Sequence, residues 1–159
     1  MRFVQSLRGK RPDNTEPEHL SIRVADYMAT KLITFKPDQN MHEVIETLLK
    51  NRISGAPIVN DKNELIGVVS EGDCLKQISE SQYHNMPLSE GNVGKHMAKD
   101  VITIDGNMSI FDAATKFLNT RIRRFPVLDN GKLVGQISQK DIMKAVLDLQ
   151  SATWSPKNT

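Results

Sequence analysis

The feature that most constrains this chain is an internal duplication. Shifted by 69 residues, Val24, Met28, Ala29, Ile33, Thr34, Arg52, Ile53 and Pro57 fall on Val93, Met97, Ala98, Ile102, Thr103, Arg121, Ile122 and Pro126. After a one-residue deletion the shift is 68, and Leu65, Gly67, Ser70, Asp73 and Lys76 fall on Leu133, Gly135, Ser138, Asp141 and Lys144. The match covers 24–76 and 93–144, so two copies of one supersecondary unit make up most of the 159 residues. One copy of about fifty residues is small for an independent core.

Each copy reads as strand–helix–strand–strand–helix. A short apolar strand (32–35, 101–104) meets a polar turn, Lys36-Pro37-Asp38-Gln39 or Asp105-Gly106-Asn107. An amphipathic helix follows, with Met41, Val44, Ile45, Leu48 and Leu49 in one copy and Ile110, Ala113, Ala114, Phe117 and Leu118 in the other at helical spacing. Asp38 or Asn40, and Asn107 or Ser109, are the candidate N-caps. A second strand starts at Pro57 or Pro126, a hairpin turn follows, and a third strand (65–69, 133–137) runs into a last helix near Ser70 or Ser138. Three strands with helices leave one sheet face bare, and a second copy packed face to face covers it. The expected class is α/β (α+β), two β-α-β-β-α repeats. The expected division is a flexible N-terminal tail over 1–20, a first repeat over 21–80, a linker over 81–92, a second repeat over 93–150 and a C-terminal tail over 151–159 that contains Trp154.

Composition narrows the function. The single cysteine, Cys74, excludes an intramolecular disulfide framework and a multi-cysteine zinc site. His19, His42, His84 and His96 show no metal-ligand spacing, so no metal site is expected. No apolar run reaches the roughly 18–20 residues of a membrane span and no secretory signal is visible, so a cytoplasmic location is expected. The net charge is +2. Residues 81–159 carry ten Lys or Arg against seven Asp or Glu, a tilt that can attract a small anion but lacks the clustered basic face of a nucleic-acid binder.

The segment with most chemical content is Gly67-Val68-Val69-Ser70-Glu71-Gly72-Asp73 and its partner Gly135-Gln136-Ile137-Ser138-Gln139-Lys140-Asp141. Both place Gly-x-x-Ser-x-x-Asp where a strand becomes a helix. One reading is structural: Ser at the N-cap with an acid three residues on is a capping box. The other uses the same geometry for a ligand. A helix N-terminus offers unpaired N–H groups to a phosphate, the serine hydroxyl can donate, and the carboxylate can accept from two vicinal hydroxyls such as those of a ribose. Cys74, next to Asp73, reads as a buried small apolar residue, and Tyr27 and Phe125 read equally as packing or as base-stacking rings.

The ordered set resembles a tandem pair of the cystathionine-β-synthase (CBS) domain family, a Bateman module. The residues that carry the resemblance are Met28-Ala29 and Met97-Ala98, Ile33-Thr34 and Ile102-Thr103, the run Arg52 to Val59, the run Arg121 to Leu128, and the two Gly-x-x-Ser-x-x-Asp ends, over roughly 24–148. The resemblance implies a pseudo-twofold pair with clefts that hold adenosine ligands: AMP, ADP, ATP or S-adenosylmethionine. It implies that Asp73 and Asp141 bind ribose hydroxyls and that Ser70 and Ser138 face phosphate. Thr34 and Thr103, with Ser54, Gly55, Ala56 and Pro57 or Arg123, Arg124, Phe125 and Pro126, would line the adenine pocket. The copies differ here. Small Ser54-Gly55-Ala56 stands where the second copy has Arg123-Arg124-Phe125, and Gly72 where it has Lys140. Cations at the second site favour a phosphate-bearing ligand over a sulfonium.

No catalytic constellation is visible: the two aspartates are copies of one role rather than an acid and a base in contrasting surroundings. The expectation is therefore a regulatory, non-enzymatic module with no required cofactor. It would sense an adenine nucleotide, form a homodimer as the resemblance implies, and signal to a regulated protein. The alternatives are a ligand-free dimerisation scaffold and S-adenosylmethionine binding. Membrane and nucleic-acid partners are not expected.

Overall fold

A computed structural model describes residues 4–7, 22–85, 87 and 91–153. Trp154 and His19 lie outside them. In chain order the elements are β1 (Val4–Leu7), α1 (Val24–Tyr27), α2 (Met41–Asn51), β2 (Gly55–Val59), β3 (Leu65–Ser70), α3 (Glu71–His84), α4 (Val93–His96), β4 (Val101–Asp105), α5 (Ile110–Thr120), β5 (Arg124–Asp129), β6 (Lys132–Ser138) and α6 (Gln139–Thr153). The chain is a mixed α+β fold in two compact units. The first is built mainly on Ile33–Val101, and the second on 22–32, 102–130 and 134–153.

In the first unit β2 and β3 form an antiparallel pair with Gly55 opposite Ser70 and Ala56 opposite Val69. Phe35 adds a parallel bridge to Ile58, its N–H reaching Pro57 O at 3.0 Å and its carbonyl accepting from Val59 at 2.9 Å. The amphipathic α2 seats Met41, Val44 and Leu48 on this layer, together with Phe35, Ile58, Val69, Cys74 and Val93. In the second unit the sheet order is β1-β4-β5-β6, with β4 parallel to β5 through Ile104–Val127. Ile110, Ala113 and Phe117 of α5 pack there with Phe125, Ile137 and Ile142.

Several expectations change. The stretch 32–35 was expected to mirror β4 as a strand but forms a single bridge. β4 is held on both edges by β1 and β5, whereas 32–35 is bonded only toward β2 among the described residues. Leu49 and Leu118, expected in the apolar stripes, are exposed. Each stands about 100° around the helix from the buried residue before it, past the edge of the stripe. Within the expected tails and linker, Val4–Leu7 form a strand, α3 continues to His84 and α6 to Thr153.

The larger difference concerns the segments that open each copy. Val24, at the start of the first copy, bonds Met108 O at 2.9 Å, and Ala25 bonds Gly106 O at 2.9 Å, both in the second copy's turn. Val93 bonds Gln39 O at 2.8 Å and Gly94 bonds Pro37 O at 3.0 Å, in the first copy's turn. Ala29 exchanges bonds with Gln136, and Ala98 with Val68. Each copy's opening segment thus completes the other copy's unit. The repeated Val24 and Val93 are wholly buried in these exchanged positions. The repeated Gly67 and Gly135 give the room: a Cβ on either would stand 2.8 Å from Ala98 O or 2.9 Å from Ala29 O.

Candidate functional site

Local chemistry explains why each unit ends its third strand in the same polar corner. In the first unit Ser70 leaves β3 in an extended conformation and caps α3. Asp73 Oδ2 accepts from Ser70 N at 2.8 Å and from Ser70 Oγ at 3.0 Å, and Asp73 N donates back to Ser70 Oγ at 3.4 Å. The second unit repeats this geometry: Asp141 Oδ2 accepts from Ser138 N at 2.9 Å and Oγ at 3.0 Å, and Asp141 N donates at 3.3 Å. The capping box is therefore real in both copies. In each carboxylate one oxygen is committed to the cap, and the other makes no hydrogen bond among the described residues. Both aspartates are half-buried.

The neighbouring residues of the first unit gather around this corner. Glu71, the first residue of α3, donates its N–H to Ser54 O at 2.9 Å, which ties the loop before β2 to the helix start. Gly55 lies opposite Ser70, and a Cβ there would come within 2.7 Å of Val69 O. Thr34, half-buried, precedes the Phe35 bridge beside Pro57. Thr34, Ser54, Gly55, Pro57, Ser70 and Asp73 thus sit at one end of adjacent strands. Ala56 and Pro57 are buried, with the Ala56 side chain in the core, so Ala56 can offer a ligand its backbone only.

In the second unit Arg123 and Arg124 are exposed, as is Lys140. Pro126 is buried. Phe125 takes the packing side of its two readings, and Thr103 differs from its counterpart. Phe125 is fully buried and its ring lies 4.6 Å from that of Phe117, so it cannot stack on a base. Its strand is buried from Phe125 to Leu128, and Phe125 joins the core of the second unit. Thr103 is also fully buried within β4, unlike its half-buried counterpart Thr34. Tyr27, the other candidate base-stacking ring, is half-buried; burial first, then the nearby Asp148 and Asp26 carboxylates, push its phenol above the ordinary range. Nothing local in the sequence signals that pair, which is far apart in the chain.

Cys74 is buried behind the corner, and burial, then the charges of Asp73 and Glu71, push its thiol up. That disfavours a reactive thiolate. Among the described residues no cluster of three His, Cys, Asp or Glu side chains could hold a metal ion, and no helix is long and apolar enough to cross a membrane.

Comparison with known proteins adds relatives to this geometry. The CBS domain family pattern matches residues 24–80 and 92–148. The chain is 32% identical over 121 residues to the uncharacterised protein MJ1225 of Methanocaldococcus jannaschii, a match covering 76% of this chain and 41% of that protein. It is 28% identical to the chloroplastic CBS domain-containing protein CBSX1 of Arabidopsis thaliana, over 87% of this chain and 70% of that one. Among solved structures, CBSX2 in complex with AMP superposes with a TM-score of 0.71 at 29% identity, covering 81% of this chain and 98% of that chain. The CBS domain pair of MJ0100, solved with 5′-methylthioadenosine and S-adenosyl-L-methionine, has a TM-score of 0.64 at 23% identity over 79% and 96%, and shows the fold alone.

Proposed function

The chain belongs to the CBS domain family, and we propose that it is a regulatory module binding an adenine nucleotide at the strand-to-helix corner of one or both units. The observation that carries this reading is the twofold recurrence of the Ser–Asp corner. Each copy commits one carboxylate oxygen to its cap and keeps the other for hydroxyl donors. CBSX2, a relative at 29% identity, has been solved with AMP. In this reading Asp73 and Asp141 accept from ribose hydroxyls. Ser70 and Ser138 keep their N–H on the carboxylate and turn their hydroxyl hydrogen, which donates to Asp73 or Asp141 without ligand, to phosphate beside the helix N–H groups. Thr34 and the backbone of 54–57 hold the base in the first unit, and the backbone of 123–126 in the second.

The units are unequal. Exposed Arg123 and Arg124 lie at the start of β5 and exposed Lys140 in the first turn of α6, where the first unit has Ser54, Gly55 and Gly72. The forked arginine donors favour a phosphate-bearing ligand, AMP, ADP or ATP, over S-adenosylmethionine at the second corner. The module has no catalytic role in this reading. It is cytoplasmic, and ligand binding biases its arrangement for a regulated partner, by no more than the ligand's differential affinity for the two states.

Self-association belongs to the proposal. α5 and α6 pack together and leave Leu118, Met143 and Leu147 exposed, with Phe111 partly so. A second copy would cover these side chains, and light scattering of Leu118→Glu with Leu147→Glu tests it, with a monomer expected. Thermal melts with AMP, ADP, ATP and S-adenosylmethionine test the ligand. A ligand at one hundred times its Kd stabilises by about 2.7 kcal/mol. A shift with a nucleotide supports the reading, and no shift with any of the four leaves a ligand-free scaffold.

A further inference from the structure

Thr34 and Thr103 correspond in the duplication, and they stand in the same register. Phe35 pairs in parallel with Ile58, so Thr34 lies level with Pro57. Ile104 pairs in parallel with Val127, so Thr103 lies level with Pro126. Both levels are near the capping end of the strands. In the first unit Gly55 opposes Ser70 there. In the second, β6 returns from the two-residue turn Asn130-Gly131 and ends at Ser138. Yet Thr34 is half-buried, whereas Thr103 is 0% exposed.

The strand order holds a difference that matches this. β4, which carries Thr103, has β5 on one edge and β1 on the other. The stretch 32–35, which carries Thr34, is bonded only toward β2 among the described residues. β1 comes from outside the duplicated sequence, so the second unit carries a strand that the repeat itself does not specify. It has four residues and lies at the end of the sheet order, paired on one side. Short edge strands of this kind have few partners, and such elements open locally at low cost.

We propose that β1 is a strap on the second corner. Docked on β4 it covers Thr103; released, it leaves Thr103 as open to a ligand as Thr34. This rests on reading the corners as nucleotide sites and adds their regulation: the first corner binds directly, and the second binds only after β1 leaves. A site that is uncovered for part of the time has its affinity reduced by that fraction. By linkage, a nucleotide held in the second corner releases β1 by the same factor. The N-terminal strand is then the part of the molecule that reports occupancy.

The test compares the full chain with a Gln5→Pro, Ser6→Pro double variant, both in an Asp73→Ala background that leaves the second corner to AMP. Neighbouring residues of a strand turn their N–H groups to opposite edges, so one of the two prolines removes a bond to β4. Calorimetric titration should show tighter AMP binding in the proline variant, by about tenfold for a strand docked about 90% of the time. Hydrogen exchange read by mass spectrometry needs no proline: saturating AMP should speed exchange over residues 4–7 in the chain with its natural β1. Equal AMP affinity with and without the prolines overturns the strap and leaves the nucleotide reading standing. Exchange over 4–7 that saturating AMP leaves unchanged does the same. AMP binding that is indifferent to a further Asp141→Ala substitution overturns the nucleotide reading and the strap with it, as does AMP that binds none of these proteins.

Discussion

Replacing Asp73 or Asp141 by alanine should have two separable effects. The first is on stability. Oδ2 of each accepts two hydrogen bonds of 2.8–3.0 Å from its serine, and each carboxylate stands in the first turn of its helix. Removing the acid leaves the serine N–H without that partner and removes the favourable charge at the helix start, about 1–2 kcal/mol together. In a chain of this size that lowers Tm by about 2–8 °C. The second effect is on affinity. An ionised carboxylate accepting from ribose hydroxyls contributes about 1.5–3 kcal/mol, so AMP should bind about ten- to a hundredfold more weakly. Ser70→Ala and Ser138→Ala are the controls. They damage the same caps but keep the carboxylates, and the lost neutral donor should weaken AMP by only a few-fold to about tenfold. Calorimetric titration with AMP, beside ligand-free melts, separates the effects. The larger loss belongs to whichever unit is occupied. If both aspartate variants melt early yet bind AMP with wild-type affinity, the carboxylates are caps alone and the ribose assignment is wrong.

Phe125→Ala removes a fully buried ring packed on Phe117 and should cost about 3–5 kcal/mol in urea unfolding; a loss below about 1 kcal/mol would contradict its place in the core. Gly55→Ala would force a Cβ to within 2.7 Å of Val69 O and should destabilise by about 1–3 kcal/mol. Gly72→Ala, whose Cβ meets only Ser70 Oγ at 3.6 Å, should be stabilising by about 0.4–1 kcal/mol; equal melting of the two variants would refute the contrast. The Cys74 thiol is raised above its ordinary value of 9.0 by burial and then by Asp73 and Glu71. The unfolded thiol ionises first as pH rises, so the stability it contributes is intact below its ordinary value and is lost between the unfolded and folded values. Cys74→Ala should flatten that alkaline decline in Tm, and an unchanged slope would count against it.

The order of elements was readable because its signals are local. Met41, Val44 and Leu48 repeat at helical spacing and are the residues buried on α2. Asn40 and Ser109 cap as their positions suggested, accepting from Glu43 N and Asp112 N. The repeated Arg52 and Arg121 turned out to have a backbone role, ending α2 and α5 in the left-handed region with φ of 53° and 57°. The exchange of opening segments was not readable. The Val24–Ala29 pattern says that Val24 is buried but not which copy's core receives it, and the deciding bonds to Met108 and Gly106 are long-range. The site was legible in residue type and only partly in role. The Ser–Asp spacing named the corner, while the inward turn of Phe125 depends on strand register, which no single-residue signal sets.

The most direct measurement is a crystal structure of the full chain grown with AMP. The ribose hydroxyls should lie within hydrogen-bond distance of Asp73 Oδ1 or Asp141 Oδ1, with Oδ2 still accepting from its serine N–H. AMP seated elsewhere, with both carboxylates bonded only to their own helix caps, would contradict it.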